Sequence, residues 1–398
     1  MNKKGFIKGV ITGVVASIIV VLGFSFGSAL ISNTIKIKGS DSELINTTSE
    51  SKIETIEDLI EEYYLEEDEI DYDSLSDGIY SGLVDGLGDK YSVYYTAEEY
   101  EDLLETSSGT YCGIGVIVQQ DATTGTITII STFEDTPGEE AGLLSGDIIT
   151  EVEGEDVSDQ DLSTVVSKIK GEEGTEVTIT ILRDNEELEI TLERRQVDIP
   201  TVDYTMLDDN IGYIQITEFE ENTYDQFVEA YEDLESQGME AVVFDLRDNP
   251  GGLYSTVVDM LDYILPEGTI VYTEDKNGNR ETEYSDADCI DIPIAVLING
   301  NSASASEIFA GAIKDYDVGD IVGTTSYGKG IVQRIFPLSD GSAVKLTISK
   351  YYTPSGNNIH GIGIEPDVEV ELDEELQDQT VIELEEDNQL QAAIETLK

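Results

Sequence analysis

The feature that most constrains the fold is an alternation of apolar runs with amphipathic helical runs in the second half of the chain. Three runs have the composition of strands, at 211–217, 241–246 and 293–298. Residues 222–237 carry apolar side chains at helical spacing. Strands that alternate with helices predict an α/β core. Reactive groups in such cores gather on turns at the carboxyl ends of the strands, where segments 249–252 and 302–307 stand.

The chain is strongly acidic. Its net charge is −64, because 85 Asp and Glu residues stand against 21 Lys and Arg residues. Proteins bind nucleic-acid phosphates with clustered Lys and Arg, so this composition argues against a nucleic-acid partner. Five of the basic residues lie in the first 38 positions, which contain no acid.

The N-terminal segment has the pattern of a membrane anchor. No residue between Lys8 and Lys36 is charged, and the stretch is longer than the roughly 20 apolar residues that a membrane-spanning helix needs. We expect residues 1–38 to form a short cytoplasmic stub and a single transmembrane helix, with the body outside the cell membrane, because the basic residues precede the span. A cleaved signal peptide, with its cleavage site near Gly27 to Ala29, is the alternative and would give a secreted form.

The next region, 39–108, is expected to be a helical arm. Within it, residues 53–64 place apolar side chains three and four positions apart, and the intervening residues are mostly acidic. The acidic tail, 373–398, is expected to be helical as well. Both regions are amphipathic, which is the character that a homodimer interface would use.

Residues 109–196 read as short strands separated by glycine turns, with one helix near 162–170. The loop formed by Gly113, Ile114, Gly115 and Val116, followed by segments 136–143 and 146–154, resembles a PDZ domain. The resemblance implies that this loop turns backbone N–H groups toward the terminal carboxylate of a peptide, which adds as a strand to an open sheet edge. The alternative is that the two glycines make a plain strand-entry turn.

The sequence contains a single histidine, His360, which limits the choice of catalytic base. A serine hydrolase that uses an imidazole base would have to use this residue. Ser304 and Lys329 form an alternative pair, since a lysine whose pKa is lowered by burial can take the proton of a serine hydroxyl. Ser302 and Ser306 compete with Ser304 for the role of nucleophile, and spacing does not rank the three.

Both members of this pair also have structural interpretations. Ser304 followed by Glu307 matches a helix capping box. As a nucleophile at a strand-to-helix turn, Ser304 would have the N–H of Ala305 positioned to stabilise an oxyanion. Lys329 could be a surface residue in a glycine-rich turn. Segment 323–329 also matches the start of a P-loop, but Gly330 stands where a Ser or Thr hydroxyl is required.

Segments from about Tyr80 onward resemble, in their order, the carboxyl-terminal processing proteases, which are serine peptidases with an inserted PDZ domain. The matching segments are 86–94, 245–252, 302–307, 328–330, 351–356 and 360–367. The resemblance implies that Ser304 is the nucleophile, Lys329 the general base and Gln333 the residue that orients the lysine amine. In an extended strand, Gln333 would lie on the same face as Lys329.

The same resemblance implies an oxyanion hole made by the backbone N–H groups of Ala305 and of either Gly251 or Gly252. It assigns no cofactor and no metal. It also leaves three tempting polar residues in structural roles: Asp245, Asp248 and His360.

The expected architecture is a multi-domain α/β protein with an N-terminal transmembrane helix, the helical arm, the PDZ domain and a peptidase core at 197–372. The expected function is an endopeptidase whose partners are polypeptide substrates bound by their C-termini. The resemblance also implies a basic residue on the PDZ domain that senses bound peptide. The nearest basic residues here are Lys168, Lys170 and Arg183, and Lys170 is the candidate. The alternative function is a catalytically inactive PDZ scaffold or substrate-delivery protein.

Overall fold

The computed structural model describes residues 43–377, 379 and 382–398. The expected membrane anchor lies outside these residues and stays a prediction. Among the helices of the described residues, none is long and apolar enough to cross a membrane. The described residues divide into two compact units, with the boundary between Ser76 and Asp77.

The described part of the first unit is helical. Helix α1 (Thr47–Tyr63) begins after Asn46, whose side chain accepts two backbone N–H groups of the first turn. These groups have no partner within the helix, so the cap stabilises its start. A 3-10 turn (Glu67–Glu69) follows, and helix α2 (Tyr72–Asp85) continues into the second unit.

The second unit contains all the strands of the described residues and the remaining helices. The strands are β1 (Val93–Tyr95), β2 (Thr110–Gly113), β3 (Val116–Gln120), β4 (Ile127–Thr132), β5 (Ile148–Val152), β6 (Glu155–Asp156), β7 (Glu176–Arg183), β8 (Glu186–Glu193), β9 (Arg195–Asp198), β10 (Val202–Met206), β11 (Ile211–Ile216), β12 (Ala241–Asp245), β13 (Gly268–Asp275), β14 (Arg280–Ser285), β15 (Ile294–Ile298), β16 (Gly319–Gly323), β17 (Ile331–Pro337), β18 (Ala343–Tyr352) and β19 (Val368–Glu369). The helices are α3 (Ala97–Ser108), α4 (Pro137–Glu140), α5 (Leu162–Ile169), α6 (Thr223–Ser236), α7 (Tyr254–Ile264), α8 (Ala305–Tyr316) and α9 (Asn388–Thr396).

Residues 110–198 form a β-rich domain. Its antiparallel sheet has the order β3-β4-β5-β7-β8, with β6 paired to β5. Alternate residues of β7, namely Val177, Ile179 and Ile181, are fully buried and pack in one core with Val165 of α5. This alternation is the period of a strand with one face covered.

A two-stranded ribbon connects this domain to the rest of the unit. Strands β2 and β9 pair antiparallel, so that Thr110 lies opposite Asp198 and Gly113 lies opposite Arg195. The chain therefore enters and leaves the domain at one place.

The core sheet has the order β10-β11-β12-β15-β16-β19 and is parallel except for β10. Strands β12 and β15 are buried along their whole length because both faces of the sheet are covered. Helices α6, α7 and α8 contribute to the core on one face, and Leu390 and Ala393 of α9 pack against the other. The α/β prediction for this part of the chain is confirmed. The tail at 373–398 was expected to be helical; among its described residues (373–377, 379 and 382–398), helix is limited to α9.

A second, antiparallel sheet lies beside the core. Its order is β1-β18-β13-β14, and β17 pairs with β18. Strand β1 belongs to the region that was expected to be entirely helical, and it departs from that expectation. Three residues are too few to display a strand period, and β1 is fixed by its pairing with β18, more than 240 residues later.

Candidate active site

The turn between β15 and α8 holds Ser304 in a strained backbone conformation. Ser304 has φ 56° and ψ −109° and directly precedes α8. A non-glycine residue in such a conformation costs about 1–3 kcal/mol and persists only where its surroundings fix it. Here the Ser304 N–H donates to Glu307 Oε2 (2.9 Å), and the Tyr351 hydroxyl donates to the Ser304 carbonyl (3.1 Å). Ser304 is thereby held, partly exposed, at the start of α8.

The other two serines of this segment are engaged in backbone contacts. The Ser302 hydroxyl donates to the carbonyl of Leu246 (2.7 Å), and the Ser306 hydroxyl donates to the carbonyl of Asn249 (3.0 Å). Both serines are fully buried. Burial and these bonds tie Ser302 and Ser306 to the neighbouring loop, which distinguishes them from Ser304 where spacing alone did not.

A single buried carboxylate joins the Ser304 turn to the Lys329 loop. Glu307 Oε2 accepts the N–H groups of Ser304 (2.9 Å) and Lys329 (2.8 Å). Its other oxygen, Oε1, accepts the Gly328 N–H (2.7 Å) and the Ser326 hydroxyl (2.5 Å). Glu307 is fully buried. The two candidate catalytic residues are therefore held through their own backbone N–H groups by one side chain.

Only one of the four hydrogen bonds that Glu307 accepts could be predicted from the sequence. The half of the capping box in which Glu307 accepts the Ser304 N–H is present. The three further donors lie 19 to 22 residues later in the chain, in a loop without regular structure. A local motif gives no signal for contacts at that separation.

The surroundings of Lys329 favour its neutral form. Burial is the main cause that lowers the pKa of Lys329 below the ordinary value of a lysine, and the positive charges of Lys345 and Lys90 lower it further. Tyr327 and Glu307 act in the opposite direction. The amine lies 5.1 Å from the centre of the Tyr91 ring. A lysine with a lowered pKa is able to accept a proton from a hydroxyl group.

Gln333 lies near Lys329 in the chain, but strand alternation does not relate the two side chains. Strand β17 begins only at Ile331, and its pairing with β18 is irregular between Val332 and Gln333. The Gln333 amide donates to Thr347 Oγ1 at 3.3 Å. In the described part of the chain, no hydrogen bond joins Gln333 to Lys329. The orienting role of Gln333 therefore stays a prediction.

The glycine pair at 251–252 lies against the Ser304 turn. A Cβ on Gly251 would come within 2.8 Å of Ser304 Cβ and 3.0 Å of the Ala305 nitrogen, so only glycine permits this approach. The Gly251 N–H donates to Asn249 Oδ1 (2.8 Å) and would have to leave it to bind an oxyanion. Gly252 has φ 142° and packs against the backbone of Phe219. The choice between the two glycines stays open.

The remaining polar candidates support loops. Asp248 Oδ1 accepts the side-chain amides of Asn299 and Asn301. His360 is exposed, and its backbone packs against Gly330. The backbone N–H groups of Gly328 and Lys329, which a P-loop would offer to phosphate, donate to Glu307. This engagement argues further against a nucleotide site.

A buried ion-pair network fixes the start of the glycine loop. The Arg247 guanidinium lies between Asp245 (2.5 Å) and Asp387 (2.7 Å), and all three side chains are at most 12% exposed. Tyr213 also donates to Asp245 (2.8 Å). No local motif indicates that Asp387, in the acidic tail, reaches this loop, because Arg247 and Asp387 are 140 residues apart.

In the PDZ-like domain, one side of the candidate peptide-binding loop is packed. The Gly138 N–H donates to the carbonyl of Ile114 (2.7 Å), and the Phe133 N–H donates to that of Gly115 (3.0 Å). Gly115 has φ 74°. Lys170 forms an ion pair with Glu105 of α3, and its amine lies 5.2 Å from the centre of the Tyr111 ring.

Comparison with known proteins shows the family of the chain. Residues 210–370 match peptidase family S41, and residues 133–183 match the PDZ domain. A Staphylococcus epidermidis protein described as "Probable CtpA-like serine protease" is 35% identical over 363 residues, which are 89% of this chain and 72% of that protein. A Staphylococcus aureus protein (strain COL) with the same description is 35% identical over 335 residues, which cover 82% of this chain but only 66% of that relative's length.

Among solved structures, a Bacteroides fragilis protein assigned to the S41 proteases aligns over 86% of this chain and 96% of its own. The TM-score is 0.51 and the sequence identity is 16%. At that identity the likeness concerns the fold alone.

Proposed function

Because the chain belongs to peptidase family S41, the family of the CtpA-like serine proteases, we propose that it is a serine endopeptidase in which Ser304 is the nucleophile and Lys329 the general base. The observation that carries this assignment is the shared carboxylate of Glu307, which binds the backbone N–H of both residues. The lowered pKa of Lys329 supports it, because a protonated lysine cannot accept a proton.

In the proposed reaction, Ser304 Oγ attacks the carbonyl carbon of the scissile peptide while the Lys329 amine takes the hydroxyl proton. The oxyanion that forms is stabilised by the N–H of Ala305 and of a glycine at 251 or 252. Lys329 then gives its proton to the leaving amine, and an acyl ester remains on Ser304. Water, deprotonated by Lys329, hydrolyses the ester. Gln333 would orient the lysine amine after turning away from Thr347.

The PDZ domain is proposed to bring substrates to this site. The loop at 113–116 would bind the terminal carboxylate of a polypeptide, and the segment behind it would extend toward Ser304. We further propose that the charge-free stretch between Lys8 and Lys36 anchors the protein in the cell membrane, with the catalytic body outside.

The test is a cleavage assay on the full chain in detergent. Wild-type protein should cleave an unstructured peptide with an apolar, free C-terminus, and Ser304→Ala and Lys329→Ala should each abolish cleavage. A serine-directed phosphonate should modify Ser304 alone, as mapped by mass spectrometry. Ser302→Ala and Ser306→Ala are matched controls that keep the phosphonate reaction. Cleavage that survives in Ser304→Ala would refute the assignment, and a folded wild type that neither cleaves nor reacts would favour the inactive scaffold.

A further inference from the structure

The loop proposed to bind substrate C-termini is already occupied by a side chain of its own domain. Tyr111 lies two residues before Gly113, in β2, and its ring folds over that glycine. A Cβ at Gly113 would come within 2.7 Å of the ring carbon Cε2. Gly113 does not have a positive φ, so backbone conformation does not require glycine at this position. The close approach of the Tyr111 ring does.

The direction of the carbonyl groups in the 113–116 loop determines on which side its N–H groups are presented. The carbonyls of Ile114 and Gly115 face the 133–138 segment, where they accept the N–H groups of Gly138 and Phe133. The Thr136 hydroxyl also donates to the Gly115 carbonyl, at 3.3 Å. Because these carbonyls are fixed on one side, the N–H groups of the loop are presented on the other side.

The Tyr111 side chain lies on this loop, with its ring against Gly113. Burial raises the pKa of Tyr111, and polar contact with the backbone of Gly115 and Val116 opposes that rise. A peptide carboxylate would need the N–H groups of the same loop.

We propose that Tyr111 is an internal occupant of the peptide-carboxylate site, and that a substrate C-terminus binds only by displacing the Tyr111 phenol from the loop. This inference rests on the C-terminal recognition given under the proposed function. A carboxylate is the stronger acceptor, because a hydrogen bond to a charged oxygen is about twice as strong as one to a neutral oxygen. The exchange therefore favours a free C-terminus and disfavours an internal peptide segment, which offers only neutral carbonyls.

Displacement of the ring would also change a contact between the domain and its neighbour. The Lys170 amine lies over the Tyr111 ring and pairs with Glu105, near the end of α3. Helix α3 leads directly into β2, through which the chain enters the domain. Binding of a C-terminus would thus alter the surroundings of Lys170 without a direct contact between peptide and lysine.

The test compares binding in the full chain with Ser304→Ala as background, so that the peptide is not cleaved. Tyr111→Phe keeps the ring and its packing on Gly113 but removes the competing oxygen. The probe is a fluorescent peptide with apolar residues at a free C-terminus, and its amidated form is the comparison. We expect Tyr111→Phe to bind the free-carboxylate peptide about five- to tenfold more tightly by fluorescence anisotropy, since the phenol oxygen no longer competes for the N–H groups of the loop, and a neutral hydrogen bond contributes about 1 kcal/mol. The amidated peptide should gain nothing. Tyr284→Phe, an exposed tyrosine in β14, is the matched control.

Two other results would count against the inference. Equal or weaker binding by Tyr111→Phe, or an equal gain for the amidated peptide, would refute the inference while leaving C-terminal recognition in place. If neither protein binds the free-carboxylate peptide, C-terminal recognition itself fails and the inference fails with it.

Discussion

Replacement of Glu307 by glutamine tests whether one carboxylate positions both proposed catalytic residues, Ser304 and Lys329. Glutamine keeps the shape of the Glu307 side chain but replaces one carboxylate oxygen with an NH₂ group. The two groups that donate to that oxygen in the wild type would then face another donor. Either choice disturbs the Lys329 loop, because one pair contains the N–H of Lys329 and the other contains the N–H of Gly328. Leaving two buried donors unsatisfied costs about 2–6 kcal/mol in total.

The expected kinetic effect is large and has a distinctive pH dependence. A displacement of about 1 Å at the reacting groups lowers the rate about 100-fold, so kcat/KM of Glu307→Gln should fall by at least that factor. The negative charge of Glu307 opposes the lowering of the Lys329 pKa. Removal of this charge should therefore lower the Lys329 pKa further. The acidic limb of kcat/KM against pH should move to lower pH, while the maximal kcat/KM falls.

The assay is peptide cleavage followed by chromatography across pH, together with urea unfolding of the same protein. Glu229→Gln, an exposed residue of α6, is the matched control and should leave both unchanged. If Glu307→Gln folds and keeps kcat/KM within a few-fold of wild type, the argument that this carboxylate positions the site is wrong.

Three further predictions concern charge. Lys345→Met removes a positive charge that lowers the Lys329 pKa, so the acidic limb of kcat/KM against pH should move to higher pH; an unmoved limb would contradict this. His360→Ala should keep full activity in the cleavage assay, since His360 is exposed and has no place in the proposed reaction, whereas loss of activity would reopen an imidazole mechanism. Asp387→Ala removes one of the two carboxylates that bind the buried Arg247 guanidinium and leaves its pair with Asp245, which should cost about 1–3 kcal/mol of stability in urea unfolding; a cost near zero would show that solvent reaches the arginine.

The sequence predicted the parts of the core whose structure depends on local period. The strands at β12 and β15 and the helix α6 follow directly from apolar spacing, and Ser304 stands before α8 as expected. The hydroxyl contacts that distinguish Ser302 and Ser306 from Ser304 depend on carbonyls in another loop, whereas the assignment of Ser304 as nucleophile came from the family resemblance and stays a prediction. Strand β1 depended on a partner far along the chain. The expected common face of Lys329 and Gln333 assumed a regular strand, and the irregular pairing in β17 removes that assumption.

The ribbon of β2 and β9 also bears on how specificity in such a protein can diverge. Since Thr110 and Asp198 are paired neighbours, the insert between them can be exchanged without changing the distance that the surrounding chain must bridge, and insertions of this kind are well tolerated. A different recognition domain, or a short hairpin, could occupy the same place while the sheet that carries Ser304 stays the same. Recombination at these two positions would then change which polypeptides are selected, independently of the residues that cut them.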